Sequence, residues 1–294
     1  MDEAILSDHR MNCHFVEEPP FFDSGRAGAY VGHSGGPWLL RRDGEAFGAI
    51  ADPALSLKWL EKQRQFIRWS RDAAMLNEAD VSQNYSIYKS WFSEDPTRQL
   101  SGRILDVGGG WGLFREWWDP GADGCFVVHD PGVERFTSRP PETLERWFVT
   151  GLARPAWFVE GFGEDLPYRD GVYDTVAVIS ALDHCAEPDR VLSGSARVLK
   201  PGGRLFIIQG FDPQSGDTTP GRSFIRRLAR LLADPRRLHR AIRQRIFHRG
   251  DPHMHHFTLA ELRALIADAG FIDIREAVVS ARFGVAVIEA RSRS

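Results

Sequence analysis

Acidic residues and glycines meet at a point of the sequence where a cofactor could bind. Asp106 precedes the glycine loop Gly108-Gly109-Gly110-Trp111-Gly112, which follows the apolar segment 103–107. Glycines let a ligand approach the backbone closely, and a carboxylate beside them attracts a cation and repels phosphate. Asp130 follows a second apolar segment, 24 residues after Asp106, at a distance suited to an acid that hydrogen-bonds a ribose diol. Together the two acids predict a ligand that combines a positive charge with a nucleoside.

Two other ligands of glycine loops do not fit this sequence. A dinucleotide loop has the pattern G-x-G-x-x-G, but its third glycine position holds Leu113 or Arg115 here, depending on where the count starts. A nucleoside triphosphate loop needs a lysine after its last glycine, and none occurs between Lys89 and Lys200. The residues therefore favour an adenosyl sulfonium compound.

The elements that would position these acids alternate between strand and helix. Short apolar runs separated by helical segments are typical of a parallel sheet, in which ligands bind at the carboxyl ends of the strands. The predicted strands are residues 103–109, 124–130, 156–162, 173–180, 203–210, 271–279 and 284–291. The predicted helices are residues 57–79, 83–92, 113–118, 188–199 and 259–269, the last with Thr258 as its N-cap. Residues 1–55 indicate loops and short strands.

The composition is that of an ordinary globular protein. The chain has 294 residues, of which 43% are hydrophobic and 26% charged, and its net charge is −3. These values argue against a disordered chain and give the whole protein no electrostatic reason to bind nucleic acid. Because the chain has three cysteines without CxxC spacing and a terminus without an apolar signal core, we expect a cytoplasmic protein without disulfides or integral membrane contact.

A set of ordered motifs carries a family resemblance. They are Asp106-Val107-Gly108-Gly109-Gly110-Trp111-Gly112, Asp130, Gly163-Glu164-Asp165-Leu166-Pro167-Tyr168, Tyr173-Asp174 and Arg197-Val198-Leu199-Lys200-Pro201-Gly202-Gly203. The sequence resembles the class I S-adenosylmethionine-dependent methyltransferases, in particular the ubiquinone/menaquinone-type group, over about residues 100–211 and 255–292. The resemblance implies a Rossmann-like seven-stranded sheet, mostly parallel with an antiparallel last strand, and S-adenosylmethionine as the cofactor. It departs from the family at Phe162, where an Asp often contacts adenine.

The resemblance also implies a set of site residues. The expected cofactor contacts are Asp106, Gly108, Gly109, Gly110, Asp130, Gly163, Glu164, Asp165, Leu166 and Ser180. The electrophile in such a reaction is already activated, so the protein chiefly positions the acceptor and excludes water. For a hydroxyl or amine acceptor, the predicted catalytic residues are His184, as general base, and His255; an exposed or packing role for His184 is equally open. His253, His255 and His256 would line the acceptor pocket or cap the following helix, and no metal is predicted.

The sequence divides into a core and additions. Residues 1–95 are a partly helical N-terminal extension on the acceptor side, and residues 96–294 are a methyltransferase domain with a helical insertion at 212–256. Within the insertion, residues 222–249 hold ten arginines and one acid. They are interpreted either as a lid that attracts an anionic substrate, a carrier protein or a membrane surface, or as a solvated cationic helix pair.

The functional hypothesis is methyl transfer to a small-molecule acceptor. One alternative is a protein that retains the fold without turnover and binds a partner in an assembly. Nucleic-acid methylation is less favoured, because the sequence Ile-Ser-Ala-Leu-Asp-His at 179–184 stands where a nucleic-acid methyltransferase would have its N/D-P-P-Y/F/W signature.

Overall fold

A computed structural model describes residues 30–32, 39–42, 53–71, 78–132, 136, 140–211, 252–281 and 284–293 of the chain. The strands are β1 (Tyr30–Gly32), β2 (Leu39–Arg42), β3 (Leu100–Ser101), β4 (Arg103–Val107), β5 (Trp118–Asp119), β6 (Cys125–Asp130), β7 (Trp157–Glu160), β8 (Tyr173–Ile179), β9 (Leu199–Gly210), β10 (Ile272–Ser280) and β11 (Val285–Arg291). The α-helices are α1 (Pro53–Arg71), α2 (Glu78–Glu94), α3 (Glu142–Trp147), α4 (Val149–Ala153), α5 (Pro188–Val198) and α6 (Leu259–Asp268). Short 3₁₀ helices cover Pro96–Arg98, Leu113–Trp117 and Leu182–His184.

The main sheet confirms the predicted seven strands and extends them. Its order is β1-β2-β7-β6-β4-β8-β9-β11-β10, and the run from β7 to β9 is parallel. The last strand, β11, is antiparallel to both of its neighbours, as expected. The N-terminal strands make the sheet nine-stranded, because β2 pairs in parallel with β7 and β1 pairs with β2.

Helices cover both faces of the sheet. Because the strands are therefore buried on both sides, they appear in the sequence as continuous apolar runs. Successive residues of β4 point to opposite faces. Leu105 and Val107 join a core with residues of α5 and α6, whereas Ile104 joins an aromatic core that includes Phe92 of α2 and Phe114. The central strands are therefore buried on both faces, and their polar residues lie mainly where the strands end.

The segment after the glycine loop differs from the prediction. An α-helix was expected over 113–118, but the chain forms the 3₁₀ helix Leu113–Trp117 and then β5, which pairs with β3. Phe114, Arg115 and Trp117 are all buried. Phe114 and Trp117 are three positions apart, a spacing that fits one turn of a 3₁₀ helix as well as one face of an α-helix, so the apolar pattern did not distinguish the two.

The helices near the site otherwise agree with the sequence patterns. Thr258 caps α6 in a capping box, in which its hydroxyl accepts from the Glu261 amide at 3.1 Å and its own amide donates to Glu261 Oε2 at 2.8 Å. The first predicted helix, 57–79, corresponds to α1, which the structure describes from Pro53 to Arg71; residues 72–77 lie outside the described residues. Among the helices that the structure describes, none is long and apolar enough to cross a membrane.

Candidate functional site

The glycine loop lies where the central strand β4 ends. The chain turns at Gly108, whose φ of 69° lies in the left-handed region that glycine favours. The Gly108 amide donates a 2.7 Å hydrogen bond to the carbonyl oxygen of His129 in β6. A Cβ atom at Gly108 would lie 2.5 Å from the Cβ of Ala181, which follows β8. The segments that follow β4, β6 and β8 therefore meet at one edge of the sheet.

Asp106 is a buried carboxylate beside this loop. It is 1% exposed, and neither carboxylate oxygen has a hydrogen-bond partner among the described residues. Burial, followed by the negative charge of Asp130, raises the pKa of Asp106 to about 7, while the charge of Arg115 acts in the opposite direction. A Cβ atom at Gly109 would overlap with Oδ2 of Asp106, so the loop backbone lies directly against the carboxylate. A cation would stabilise such a buried acid.

Asp130 connects the glycine loop to the end of β6. Its Oδ2 accepts a 3.2 Å hydrogen bond from the Gly110 amide, and its Oδ1 accepts a 2.7 Å bond from the Gly132 amide. The side chain is nearly buried. Asp106, the acid predicted to bind a cation, and Asp130, the acid predicted to bind a ribose, therefore both contact the glycine loop, the first at Gly109 and the second at Gly110.

The segment after β7 packs against the same edge. A Cβ atom at Gly163 would lie 2.8 Å from Cγ1 of Val107, so this backbone closely approaches the end of β4. The buried His129 holds the segment in place, since its two ring nitrogens lie 3.0 Å from the Phe162 carbonyl oxygen and 3.0 Å from the Tyr168 hydroxyl. The role of His129 was not predicted, although a polar residue inside an apolar strand was a signal for it.

A cavity of about 230 Å³ opens beside Asp106. Its lining is Asp80, Val81, Asn84, Tyr88, Asp106, Gly109, Leu113, Phe114, Leu144, Phe148, Ile179 and Ser180. One wall is the polar edge at Asp106, Gly109 and Ser180, and much of the rest is apolar or aromatic. The side chain of Tyr88 on α2 is partly buried, and loss of solvent around its hydroxyl raises its pKa to about 12. The sequence predicted α2 as a helix but gave no indication that it forms a wall of the site.

Ser180 occupies a strained position at this cavity. Its φ is 49°, which is uncommon for a residue other than glycine, and its amide donates a 2.7 Å hydrogen bond to the Ile208 carbonyl oxygen of β9. Unfavourable backbone conformations of this kind are found preferentially at functional sites. Ser180, Asp106 and Gly109 are thus three predicted cofactor residues that the structure places around one cavity.

Residues 105–207, which contain this edge of the sheet, match a protein-family model described as a methyltransferase domain. This part of the chain is a methyltransferase domain, in keeping with the resemblance to the class I S-adenosylmethionine-dependent methyltransferases. The match implies S-adenosylmethionine as the cofactor. It covers the glycine loop, Asp130, the segment Gly163–Leu166 and Ser180, so every predicted cofactor residue lies within the matched interval.

Curated relatives of the methyltransferase domain share part of their length with this chain. The ubiquinone/menaquinone biosynthesis C-methyltransferase UbiE of Acidiphilium cryptum is 31% identical over 106 residues, which are 36% of this chain and 41% of that protein. The UbiE protein of Pseudomonas putida is 26% identical over 141 residues, which are 47% of this chain and 54% of that protein. The chain thus spans about half the length of the curated relatives it matches.

Solved structures similar to the methyltransferase domain have low sequence identity. A possible histamine N-methyltransferase from Thermotoga maritima is 17% identical with a TM-score of 0.42, covering 74% of this chain and 99% of that one. A putative methyltransferase in complex with the Haloferax volcanii Trm112 activator is 16% identical with a TM-score of 0.49, covering 76% and 96% of the two chains.

Glu164 of the methyltransferase domain contacts the loop after β8. Its Oε1 accepts hydrogen bonds from the Ala186 amide at 2.7 Å and from the Glu187 amide at 3.3 Å. Burial raises the pKa of Glu164, and these backbone donors partly oppose that effect. Glu164 is one of the predicted cofactor contacts, and in the structure one of its oxygens holds two segments of the domain together.

The remaining residues of the predicted cofactor segment have different surroundings. The Asp165 amide donates a 3.0 Å hydrogen bond to the Phe162 carbonyl oxygen, which closes a turn around Gly163 and Glu164. The Leu166 side chain is buried in the core of the domain that includes α5 and α6. Its contact with a cofactor would therefore involve its backbone or the edge of its side chain.

The two predicted catalytic histidines do not line the cavity beside Asp106. His184 ends the 3₁₀ helix after β8, where it lies with Asp183 and His253. One ring nitrogen of His255 lies 3.3 Å from the Ala186 carbonyl oxygen, and the ring stacks on Phe257. Capping of α6 is performed by Thr258, so the predicted capping role for these histidines is wrong. The basic segment 222–249 lies outside the described residues.

Proposed function

We propose that the chain transfers a methyl group from S-adenosylmethionine to a small-molecule acceptor that binds in the cavity between the glycine loop and α2. When bound, the cofactor supplies a methyl group on a sulfonium, already activated for in-line displacement. The observation that carries the proposal is Asp106, a buried carboxylate without a hydrogen-bond partner among the described residues, at the edge of this cavity. Such a group favours a ligand that brings a positive charge.

The residues at the strand ends fit the chemistry of the cofactor. Asp106 would attract its positive charge, and Asp130 would accept hydrogen bonds from its ribose. Gly109 supports this assignment, because a side chain there would overlap with the Asp106 carboxylate. The backbone of Gly163 and the strained Ser180 would complete the cofactor side, and Glu164 would position the loop after β8.

The other walls of the cavity suit an apolar or aromatic acceptor. Val81, Leu113, Phe114, Leu144 and Phe148 would exclude water and hold such an acceptor against the glycine loop. The pKa of Tyr88, about 12, keeps its hydroxyl protonated at neutral pH, so Tyr88 can donate a hydrogen bond but cannot serve as a base there. The names of the curated relatives, which refer to ubiquinone and menaquinone biosynthesis, support quinols and related aromatic compounds as the first acceptors to test.

Two histidines near the loop after β8 are the proposed bases for an acceptor that needs one. His184 and His255 do not line the cavity beside Asp106, so either would serve as a base only for an acceptor that extends from this cavity to the loop after β8. An anionic or carrier-bound acceptor could also contact the arginines of 222–249.

Calorimetry of the full chain with S-adenosylmethionine and with S-adenosylhomocysteine tests the cofactor site. We expect both to bind with one site per chain, and NAD and ATP not to bind, because their phosphates would meet Asp106. Transfer of radiolabelled methyl to a panel of quinols and phenols then tests the reaction. Binding of the cofactor without transfer to any acceptor would favour the non-catalytic alternative, and absence of all binding would refute the proposal. A gel shift of DNA or RNA that is lost when Arg226, Arg227 and Arg230 are replaced would favour nucleic-acid methylation instead.

A further inference from the structure

Two distant parts of the chain bring potential metal ligands together after β8. Asp183 and His184 belong to the 3₁₀ helix Leu182–His184, whereas His253 precedes α6. The Asp183 carbonyl oxygen accepts hydrogen bonds from the Met254 amide at 2.7 Å and from the His255 amide at 3.1 Å. Backbone contacts therefore hold His253 beside the end of β8, independently of any attraction between side chains.

The side chains form a compact group of nitrogen and oxygen donors. His253 Nε2 lies 3.6 Å from Asp183 Oδ2, and His184 Nε2 lies 4.0 Å from Asp183 Oδ1. The ligand atoms of the three residues all lie within 4.8 Å of one another, and the imidazole rings of His184 and His253 are 4.7 Å apart between centroids. Ligands of one zinc ion at about 2.1 Å from the metal are themselves about 3–3.5 Å apart, so small side-chain movements would bring these donors to bonding distance.

The surroundings of the group favour a bound ion over a solvated ion pair. The side chains of Asp183 and His184 are only 15% and 17% exposed, and that of His253 is 30% exposed. Asp183 Oδ1 is buried and accepts no hydrogen bond among the described residues. A buried carboxylate oxygen that accepts no hydrogen bond costs free energy unless a cation neutralises it. Two imidazoles and one carboxylate are a donor set for first-row divalent transition metals, with Zn²⁺ and Fe²⁺ as the commonest examples.

We propose that Asp183, His184 and His253 bind one divalent transition-metal ion. Three protein ligands leave coordination positions for water or for an oxygen or nitrogen of another molecule. The site is separate from the cofactor edge at Asp106, since none of its three residues lines that cavity. His184 is shared with the proposed base, and a ring nitrogen that coordinates a metal cannot also accept a proton. Metal binding is measured without methyl transfer, so either proposal can fail without the other.

Cobalt is a direct probe of this site. The full chain, with any histidine tag removed, is treated with a chelator, exchanged into metal-free buffer and titrated with Co²⁺ while the visible absorption is recorded. We expect one Co²⁺ per chain, with absorption bands typical of nitrogen and oxygen ligands, and displacement of Co²⁺ by Zn²⁺ in calorimetry. Absence of saturable binding of both ions would overturn the proposal.

Variants test the three ligands individually. His253→Ala and Asp183→Asn should each weaken Co²⁺ binding by more than roughly 100-fold, which exceeds the typical effect of changing a residue outside the ligand set. His256→Ala is the control for a neighbouring residue: His256 is exposed and outside the group, and its ring meets that of His253 edge-on at 5.8 Å between centroids, so only a small loss is expected. Circular dichroism checks that each variant is folded. Equal losses in His253→Ala and His256→Ala, or unchanged binding in Asp183→Asn, would refute the assignment.

Discussion

Replacing Asp106 by Asn removes a buried negative charge while preserving the shape of the side chain. In the folded protein, burial raises the pKa of Asp106 from its ordinary 3.8 to about 7. That difference corresponds to about 4 kcal/mol, at about 1.4 kcal/mol for each tenfold change in proton affinity. Because the folded state holds the proton more tightly than the unfolded state, the free energy of unfolding should fall as the pH rises from 3.8 to about 7. Above pH 7, Asp106 is ionised in both the folded and the unfolded state, and the free energy of unfolding is lowered by the full cost of burying its charge.

Urea denaturation of the ligand-free protein at a series of pH values measures this cost. The Asp106→Asn variant should be more stable than the unmodified protein by an amount that grows with pH and reaches about 4 kcal/mol above neutrality. Asp123→Asn, which changes an exposed carboxylate in the turn before β6, is the control and should leave the shape of the pH profile unchanged. A stability difference between Asp106→Asn and the unmodified protein that does not vary with pH would refute the reasoning.

Cofactor binding should reverse the effect of pH. A positive charge beside the ionised Asp106 lowers its pKa, so S-adenosylmethionine should bind more tightly as the pH rises from about 6 to 8 and should release a proton on binding. Calorimetry in two buffers with different ionisation enthalpies measures the proton. At pH 8, Asp106→Asn should bind the cofactor about 10- to 100-fold more weakly, since a hydrogen bond to a charged group contributes about 1.5–3 kcal/mol. Equal affinities would show that Asp106 does not meet the cation.

Three further substitutions test neighbouring parts of the site. Gly109→Ala should abolish binding of S-adenosylhomocysteine in calorimetry, because its Cβ would overlap with the Asp106 carboxylate. Gly194→Ala in α5 is the control and should not affect binding, because a Cβ there makes ordinary contacts. Glu164→Ala should lower the free energy of unfolding in urea by about 1–3 kcal/mol, because the Ala186 amide loses its acceptor, and Glu164→Gln, which keeps an acceptor oxygen, should cost less. His184→Ala should lower the rate of methyl transfer and leave cofactor affinity nearly intact; an unchanged rate would exclude His184 from catalysis.

The predictable parts of the fold are those specified by local patterns. The central strands are buried on both faces, so they appear in the sequence as apolar runs of four to seven residues between turns. The capping box at Thr258 and Glu261 depends on residues three positions apart. The glycine loop and Asp106 are adjacent in the chain as well as in space. In each case the interacting residues are close in sequence, which is why the pattern was informative.

The parts that could not be predicted depend on contacts between distant segments. The pairing of β2 with β7 joins residues more than a hundred positions apart, and β2 itself is only four residues long. Tyr88 occupies an ordinary helical position, and it lines the cavity only because α2 packs on Phe114, with ring centroids 5.1 Å apart. Likewise, the sequence grouped His253 with its neighbours His255 and His256, but the fold places His253 beside Asp183, 70 residues earlier.

The loop after β8, residues 181–187, explains how these distant segments are organised. Its side chain at Ala181 packs against Gly108 of the cofactor edge, and its amides bind Glu164. Its carbonyl oxygens accept hydrogen bonds from two distant segments: the Trp59 indole of α1 donates to one of them at 3.1 Å and the Met254 amide to another at 2.7 Å. α1 and the segment before α6 therefore contact this loop in part through its backbone, so these contacts do not require the Asp183 and His184 side chains. Because backbone hydrogen bonds place few demands on residue type, this arrangement leaves little trace in the sequence.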